Sequence, residues 1–135
     1  MQRTTVSACH SLRLIPISML TRFVRVESLV AMVMLGKAVD AGEVPGSVKR
    51  TVTTENGVLK GKITYECSDV SDAVAVTLQY LKATRLVAVY VDESGNTRVA
   101  GSPDLPLSLE YTDRDGVFAV TLEGEDTRPD GFLAC

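Results

Sequence analysis

The sequence has no tryptophan, and its aromatic side chains are three Phe and four Tyr. A core assembled from it must lean on Val, Leu, Ala and Ile. It has a single histidine, His10, so a hydrolase triad has one candidate base, and that base adjoins Cys9. Neighbouring residues on a strand point their side chains to opposite faces, so Cys9 and His10 do not form a productive ion pair. The three cysteines, Cys9, Cys67 and Cys135, are odd in number and far apart. That excludes a disulfide framework and a zinc pattern and leaves free thiols in a reducing compartment as the default, with a Cys9–Cys67 pair left open. Long apolar runs are lacking too. Leu29–Leu35 is the best, far short of the about 20 residues that span a bilayer as a helix. Arg22, Arg25 and Glu27 just before it fit a secretory signal poorly. Pro16 and the β-branched residues likewise break up the amphipathic helix of a transit peptide.

What is present is the composition of an ordinary globular chain: 135 residues, 45% apolar and 23% charged. That length is one domain with a real core. The net charge of −3 is unevenly placed. Residues 1–36 hold Arg3, Arg13, Arg22 and Arg25 against Glu27, a balance of +3; residues 37–85 come to +1 and residues 86–135 to −7, which sum to −3. A nucleic-acid binder concentrates Lys and Arg on one patch, which this layout does not do. A basic end and an acidic end suit either two differently solvated surfaces or subunits that meet head to tail.

Along the chain, Leu12–Ile17 and Phe23–Val26 read as extended, with Pro16 placing the first at an edge or a strand end. Residues 1–27 are thus an extended arm or part of the domain. Leu29–Val39 fits one broad helical face, capped by Ser28 and stopped by Gly42, and is read as a core helix in preference to an exposed docking helix. Val48–Thr54 and Val58–Cys67 flank Asn56-Gly57, a hairpin signal. In the second arm Leu59, Ile63, Tyr65 and Cys67 share the core parity, which makes Cys67 a small core residue. Ser68–Thr84 reads as a second helix, capped near Ser68, Asp69 or Ser71. Arg85–Leu122 reads as a four-strand sheet: Leu86–Val91, Thr97–Ala100, Leu105–Thr112 and Val117–Leu122, with the first apolar on both faces and therefore central. Residues 124–135 form an acidic tail with Phe132 and Leu133 as a docking point. The expectation is a single α+β domain over residues 1–135, an antiparallel sheet or open barrel with about two helices.

No cluster specifies a reaction. Asp113, Asp115 and Gly116 lack the further ligands of a calcium loop and are read as a turn. Gly57 and Gly61 do not make a phosphate cradle, and no two of the carboxylates between Asp92 and Asp130 are singled out as a glycosidase pair. No catalytic, cofactor-binding or metal-binding residue is assigned, and no cofactor is expected.

The segment Val89–Leu109, with Val91-Asp92-Glu93-Ser94-Gly95-Asn96-Thr97-Arg98, Gly101 and Pro103-Asp104-Leu105-Pro106-Leu107, is similar to small proteins of bacteriophage and prophage structural modules, of the head–tail connector and tail-assembly type. Cys9-His10-Ser11-Leu12 followed by Ile15-Pro16 resembles them as well. The resemblance carries no catalytic residues. It implies a non-enzymatic virion or tail subunit, assembled in the bacterial cytoplasm, whose partners are copies of itself and other virion proteins, with no direct nucleic-acid or membrane contact. The contacts expected to matter are the Thr97–Leu105 region, the acidic tail and the Arg-bearing N-terminal segment. The rival is a small-ligand or protein-binding module of a bacterial cytosolic protein.

Overall fold

The computed structural model describes residues 3–134. Among them the chain runs through β1 (Arg3–Ala8), β2 (His10–Pro16), a short 3-10 turn (Ile17–Met19), β3 (Leu20–Val26), β4 (Leu29–Met34), β5 (Val39–Asp40), β6 (Lys49–Glu55) and β7 (Val58–Cys67). There follow α1 (Asp72–Lys82), β8 (Leu86–Val91), β9 (Thr97–Ala100), β10 (Ser108–Arg114), β11 (Val117–Asp126) and β12 (Gly131–Leu133). The strands form a five-stranded sheet in the order β1-β6-β7-β11-β10 and a seven-stranded sheet in the order β3-β4-β12-β9-β8-β2-β5. Every pairing is antiparallel except β12 on β4.

The expected α+β class with two helices is therefore corrected. Strand makes up 58% of the chain and helix 11%, with one α-helix among the described residues. The segment read as a helix, Leu29–Val39, is strand β4, the connection after it and the first residue of β5. Its apolar residues fall on both faces: Val30 is buried and Met32 and Met34 half-buried, while Leu29, Ala31, Val33 and Leu35 are exposed. With both parities apolar, a period of two is invisible in the sequence and a helical stripe fits equally well. The hairpin with β3, closing between Val26 and Leu29, supplies backbone partners that decide for strand.

A second correction concerns Arg85–Leu122. Its four strands do not form one sheet: β8 and β9 belong to the seven-stranded sheet, β10 and β11 to the five-stranded one. The crossing is made by Gly101–Leu107, where Gly101 takes φ +86° and Leu107 forms a bridge with Leu86. Leu105 consequently lies outside β10 and is exposed, while Leu107 and Leu109 are buried.

Other local readings match the geometry. Asn56 and Gly57 have φ of 53° and 79° between paired Glu55 and Val58, the left-handed pair that a type I′ turn needs. Asp115 and Gly116 repeat this between Arg114 and Val117. Helix α1 begins where the Ser71 hydroxyl accepts from the Val74 N–H, with Asp72 in its first turn and Lys82 in its last. Strand β8 is covered on both faces, as its sequence suggests.

The inner faces of the two sheets share one core. Ile63, Val120 and Leu122 of the five-stranded sheet meet Leu14, Leu86 and Ala88 of the seven-stranded sheet, and α1 adds Leu78 and Leu81. Each fully buried Val, Leu or Ile side chain here contributes about 1.5–3 kcal/mol. A smaller cluster lies on the other face of the seven-stranded sheet, where Ile15, Val87, Val99 and Val30 pack with Phe23, Met32 and Met34. The N-terminal segment is thus strand throughout residues 3–8, 10–16 and 20–26, with Leu12, Leu14 and Ile15 fully buried. The acidic tail is likewise built in: Gly124–Asp126 finish β11, and Gly131–Leu133 sit between β4 and β9.

Candidate functional site

The most organised polar cluster sits where the chain leaves the five-stranded sheet and enters the other. Asp130, just before β12, receives two hydrogen bonds from Arg50 of β6: Nε to Oδ2 at 2.9 Å and Nη2 to Oδ1 at 2.8 Å. The Tyr90 hydroxyl of β8 donates to the same Oδ2. Both partners of the ion pair are nearly buried, with side chains 9% and 12% exposed. Burial opposes the Arg50 charge, but the Asp130 carboxylate outweighs it and holds the guanidinium above its ordinary value. Burial and the same carboxylate push the Tyr90 phenol up, so it stays a donor. Arg98 of β9 completes the latch: Nη2 donates to the Asp130 carbonyl, Nε to the Gly131 carbonyl at 3.3 Å, and its guanidinium lies 4.1 Å over the Phe132 ring. Asp92 accepts from Arg98 at 3.4 Å and from the Asn96 and Ser94 backbone, which hold its carboxyl below the usual carboxylate range.

Two glycines make this arrangement possible. Gly61 and Gly124 face each other across β7 and β11. A Cβ on Gly61 would lie 2.3 Å from Arg50 Nη1, and one on Gly124 2.4 Å from Leu107 Cδ2. The Arg50 guanidinium and the Leu107 side chain occupy the space that a Cβ would need. The cavity beside them, bordered by Arg25, Arg128 and Asp126, holds about 30 Å³. That is room for water, an order of magnitude below a metabolite pocket of roughly 300 Å³ or more.

A second feature begins at the latch and leads outward. Strand pairing lines up Tyr90, Arg98, Phe132, Leu29 and Val26 as one row across the seven-stranded sheet, from the core to its β3 edge. Tyr90 lies under the five-stranded sheet, while Leu29 and Val26 are more than half exposed. The face that is interior at β8 is therefore uncovered at the β3–β4 hairpin. There Val24, Val26, Leu29 and Val33, followed by Leu35, stand open to solvent. Strand β3 also ends the sheet, so one row of its N–H and C=O groups has no strand partner. Alongside runs an open groove of about 450 Å³, bordered by Arg22 and Phe23 of β3, Pro103 and Asp104 of the crossing loop, and Arg128. The three regions expected to make contacts, the N-terminal Arg segment, the Thr97–Leu105 region and the tail, converge on this groove.

No family model, curated protein or solved structure matches this chain at a significant level.

The remaining sequence candidates lie apart from one another. Cys9 is buried and its thiol is pushed up to about 11 by burial, against the pull of Arg50. His10 is exposed, with Nδ1 3.0 Å from the Ser11 hydroxyl. Cys9 and Cys67 are free thiols, and Cys135 lies outside the described residues. Asp113–Gly116 is the β10–β11 turn. Among the described residues no His, Cys, Asp and Glu side chains converge as a metal-ligand set. What sequence reasoning missed is the latch, because its members are 40 and 80 residues apart. One signal was present. Gly61 interrupts the alternating arm Val58–Cys67, and a glycine inside a strand marks a close approach.

Proposed function

We propose that this chain is a non-enzymatic structural subunit that works by self-association, in the head, connector or tail module of a bacteriophage or prophage, assembled in the bacterial cytoplasm. The observation that carries this reading is the uncovered sheet face at the β3–β4 hairpin. A sheet face of that composition is stable in water only when another layer covers it, and contiguous exposed apolar surface marks an interaction site. A free strand edge beside it adds a second means of contact. The placement of Cys9 as a buried thiol with His10 facing outward supports a role without nucleophilic chemistry. The two segments that resemble phage structural proteins form adjacent strands, β2 beside the β8–β9 hairpin. The partners are copies of this chain and further virion proteins.

Light scattering on a size-exclusion column, with electron microscopy of the peak fractions, tests the reading. Assemblies that grow with concentration, visible as rings, tubes or smaller oligomers, are the expected result. A strict monomer at every concentration and salt sinks it.

A further inference from the structure

The groove beside β3 is positive in a chain whose net charge is −3. Arg22 and Arg25 of β3 and Arg128 of the approach to β12 border it, and Asp104 is the one acidic side chain among the described residues that line it. Three cations against one anion leave a balance of +2. Arg25 is half-buried and fixed: Nε donates to the Glu27 carbonyl at 2.9 Å and Nη2 to the Pro129 carbonyl at 2.8 Å. Carbonyls orient a guanidinium without neutralising it. Among the described residues no carboxylate lies within ion-pair distance of Arg25 or Arg22. Arg128 has a single long contact, Nε to Asp126 Oδ1 at 3.8 Å, and its side chain is half exposed. Fixed cations without counter-charges raise the local concentration of anions. Buried Ser102 lines the same groove; its hydroxyl accepts from the Leu105 N–H at 3.0 Å, and its own hydrogen is free to donate. Ile17, Leu20 and Phe23 give the groove an apolar side, half-buried against the outer cluster of the seven-stranded sheet.

We infer that this groove binds a phosphate group, free or carried as an ester on a small apolar body. Guanidinium forks match the oxygens of phosphate and of carboxylate alike. Charge decides between them. A phosphate monoester carries about −1.5 to −2 at pH 7, which balances the groove. A single carboxylate or a phosphodiester, with one charge, leaves half of it unmet. The groove, about 450 Å³, falls within the roughly 300–1,000 Å³ of small-molecule sites. It therefore has room for the phosphate among the three arginines and for a ring against Phe23. Pockets of this kind combine an apolar surface with a few polar groups that fix orientation, here the guanidinium of Arg25 and the hydroxyl of Ser102.

Isothermal titration calorimetry with sodium phosphate and with phenyl phosphate, each against sodium chloride of equal ionic strength, tests the site. Both anions are expected to bind beyond the chloride control, phenyl phosphate more tightly. Arg22→Gln and Arg128→Gln are each expected to weaken binding by about tenfold or more, the loss of one hydrogen bond to a charged group. Both side chains are exposed, so the fold is expected to survive, and circular dichroism checks that it does. Arg114→Gln, an exposed arginine of the β10–β11 hairpin outside the groove, is the control and is expected to leave binding unchanged. Phosphate binding with no gain from the phenyl group supports the site and assigns it to free phosphate. No binding beyond chloride overturns the inference. So does an affinity that is the same in the parent and in the Arg22→Gln and Arg128→Gln chains.

Discussion

At the residue scale, Arg50, Asp130 and Tyr90 show how a charge is kept inside a small β-protein. The carboxylate accepts from Nε and Nη2 along one side of the guanidinium and from the phenol, so both of its oxygens have donors. Removing one member of a buried pair leaves the other unpaired, which costs about 3–5 kcal/mol. Asp130→Ala and Arg50→Ala are each expected to lose that much in urea unfolding, while Tyr90→Phe, which deletes a single hydrogen bond, loses about 1 kcal/mol. A result in which Tyr90→Phe matches Asp130→Ala removes the carboxylate from the centre of the cluster. The thiols give a second expectation. The fold holds Cys9 protonated, with its value raised from 9.0 to about 11. Its contribution to stability is therefore complete below the ordinary thiol value and is lost as the pH rises towards 11. In a Cys135→Ser background, an aromatic disulfide reagent at mildly alkaline pH should leave native Cys9 and Cys67 unmodified and label both once denaturant is added. Rapid labelling of folded protein contradicts their buried placement. The inward parity of Cys67 was legible from its strand; the burial of Cys9 was not, because β1 and β2 join different sheets just there.

At the scale of elements, turn chemistry was the most legible part. Asn56-Gly57 and Asp115-Gly116 each announce a hairpin because few other residue pairs accept two positive φ angles in succession. Helix α1 was also readable, from Ser71 and the spacing of Leu78 and Leu81. The run at Leu29–Leu35 was not. Periodicity reports which residues are apolar, and when the solvent-facing residues of a strand are apolar as well, strand and helix leave the same trace. The failed reading thus falls on the element with the uncovered face, where the pattern departs from a simple inside–outside alternation. The glycine pair Gly61–Gly124 offers a test at this scale. Gly61→Ala must displace the Arg50 guanidinium, at a cost of about 1–3 kcal/mol. In an Arg50→Ala background the same change should cost nearly nothing, since the obstructing group is gone. Equal costs in the two backgrounds place the strain in the strand backbone instead of the arginine.

At the scale of the whole molecule, the two sheets differ in how they are secured. The five-stranded sheet is a run of antiparallel neighbours with long registers, β7 pairing over Leu59–Cys67 with β11. The seven-stranded sheet is continuous only through β12, which pairs two residues with β4 and two with β9. That three-residue strand was illegible beforehand because its partners lie far off in sequence and its flanks, Pro129-Asp130 and an acidic approach, read as tail. It follows that the β3–β4 hairpin can open separately from the rest, as a local unit of lower stability. Gly131 is the point at which to ask. A Cβ there would stand 2.5 Å from Val30 Cγ2 and 3.3 Å from the Ser28 carbonyl, so Gly131→Ala must press β12 away from β4. The Arg50–Asp130 pair lies one residue earlier and keeps its own partners. Amide hydrogen exchange should then show faster exchange across Leu20–Met34, with β6, β7 and β11 protected as in the parent. Equal loss of protection in both sheets means that they unfold together and that β12 is no hinge between them. Unchanged exchange at the hairpin means that β4 holds it in place without help from β12.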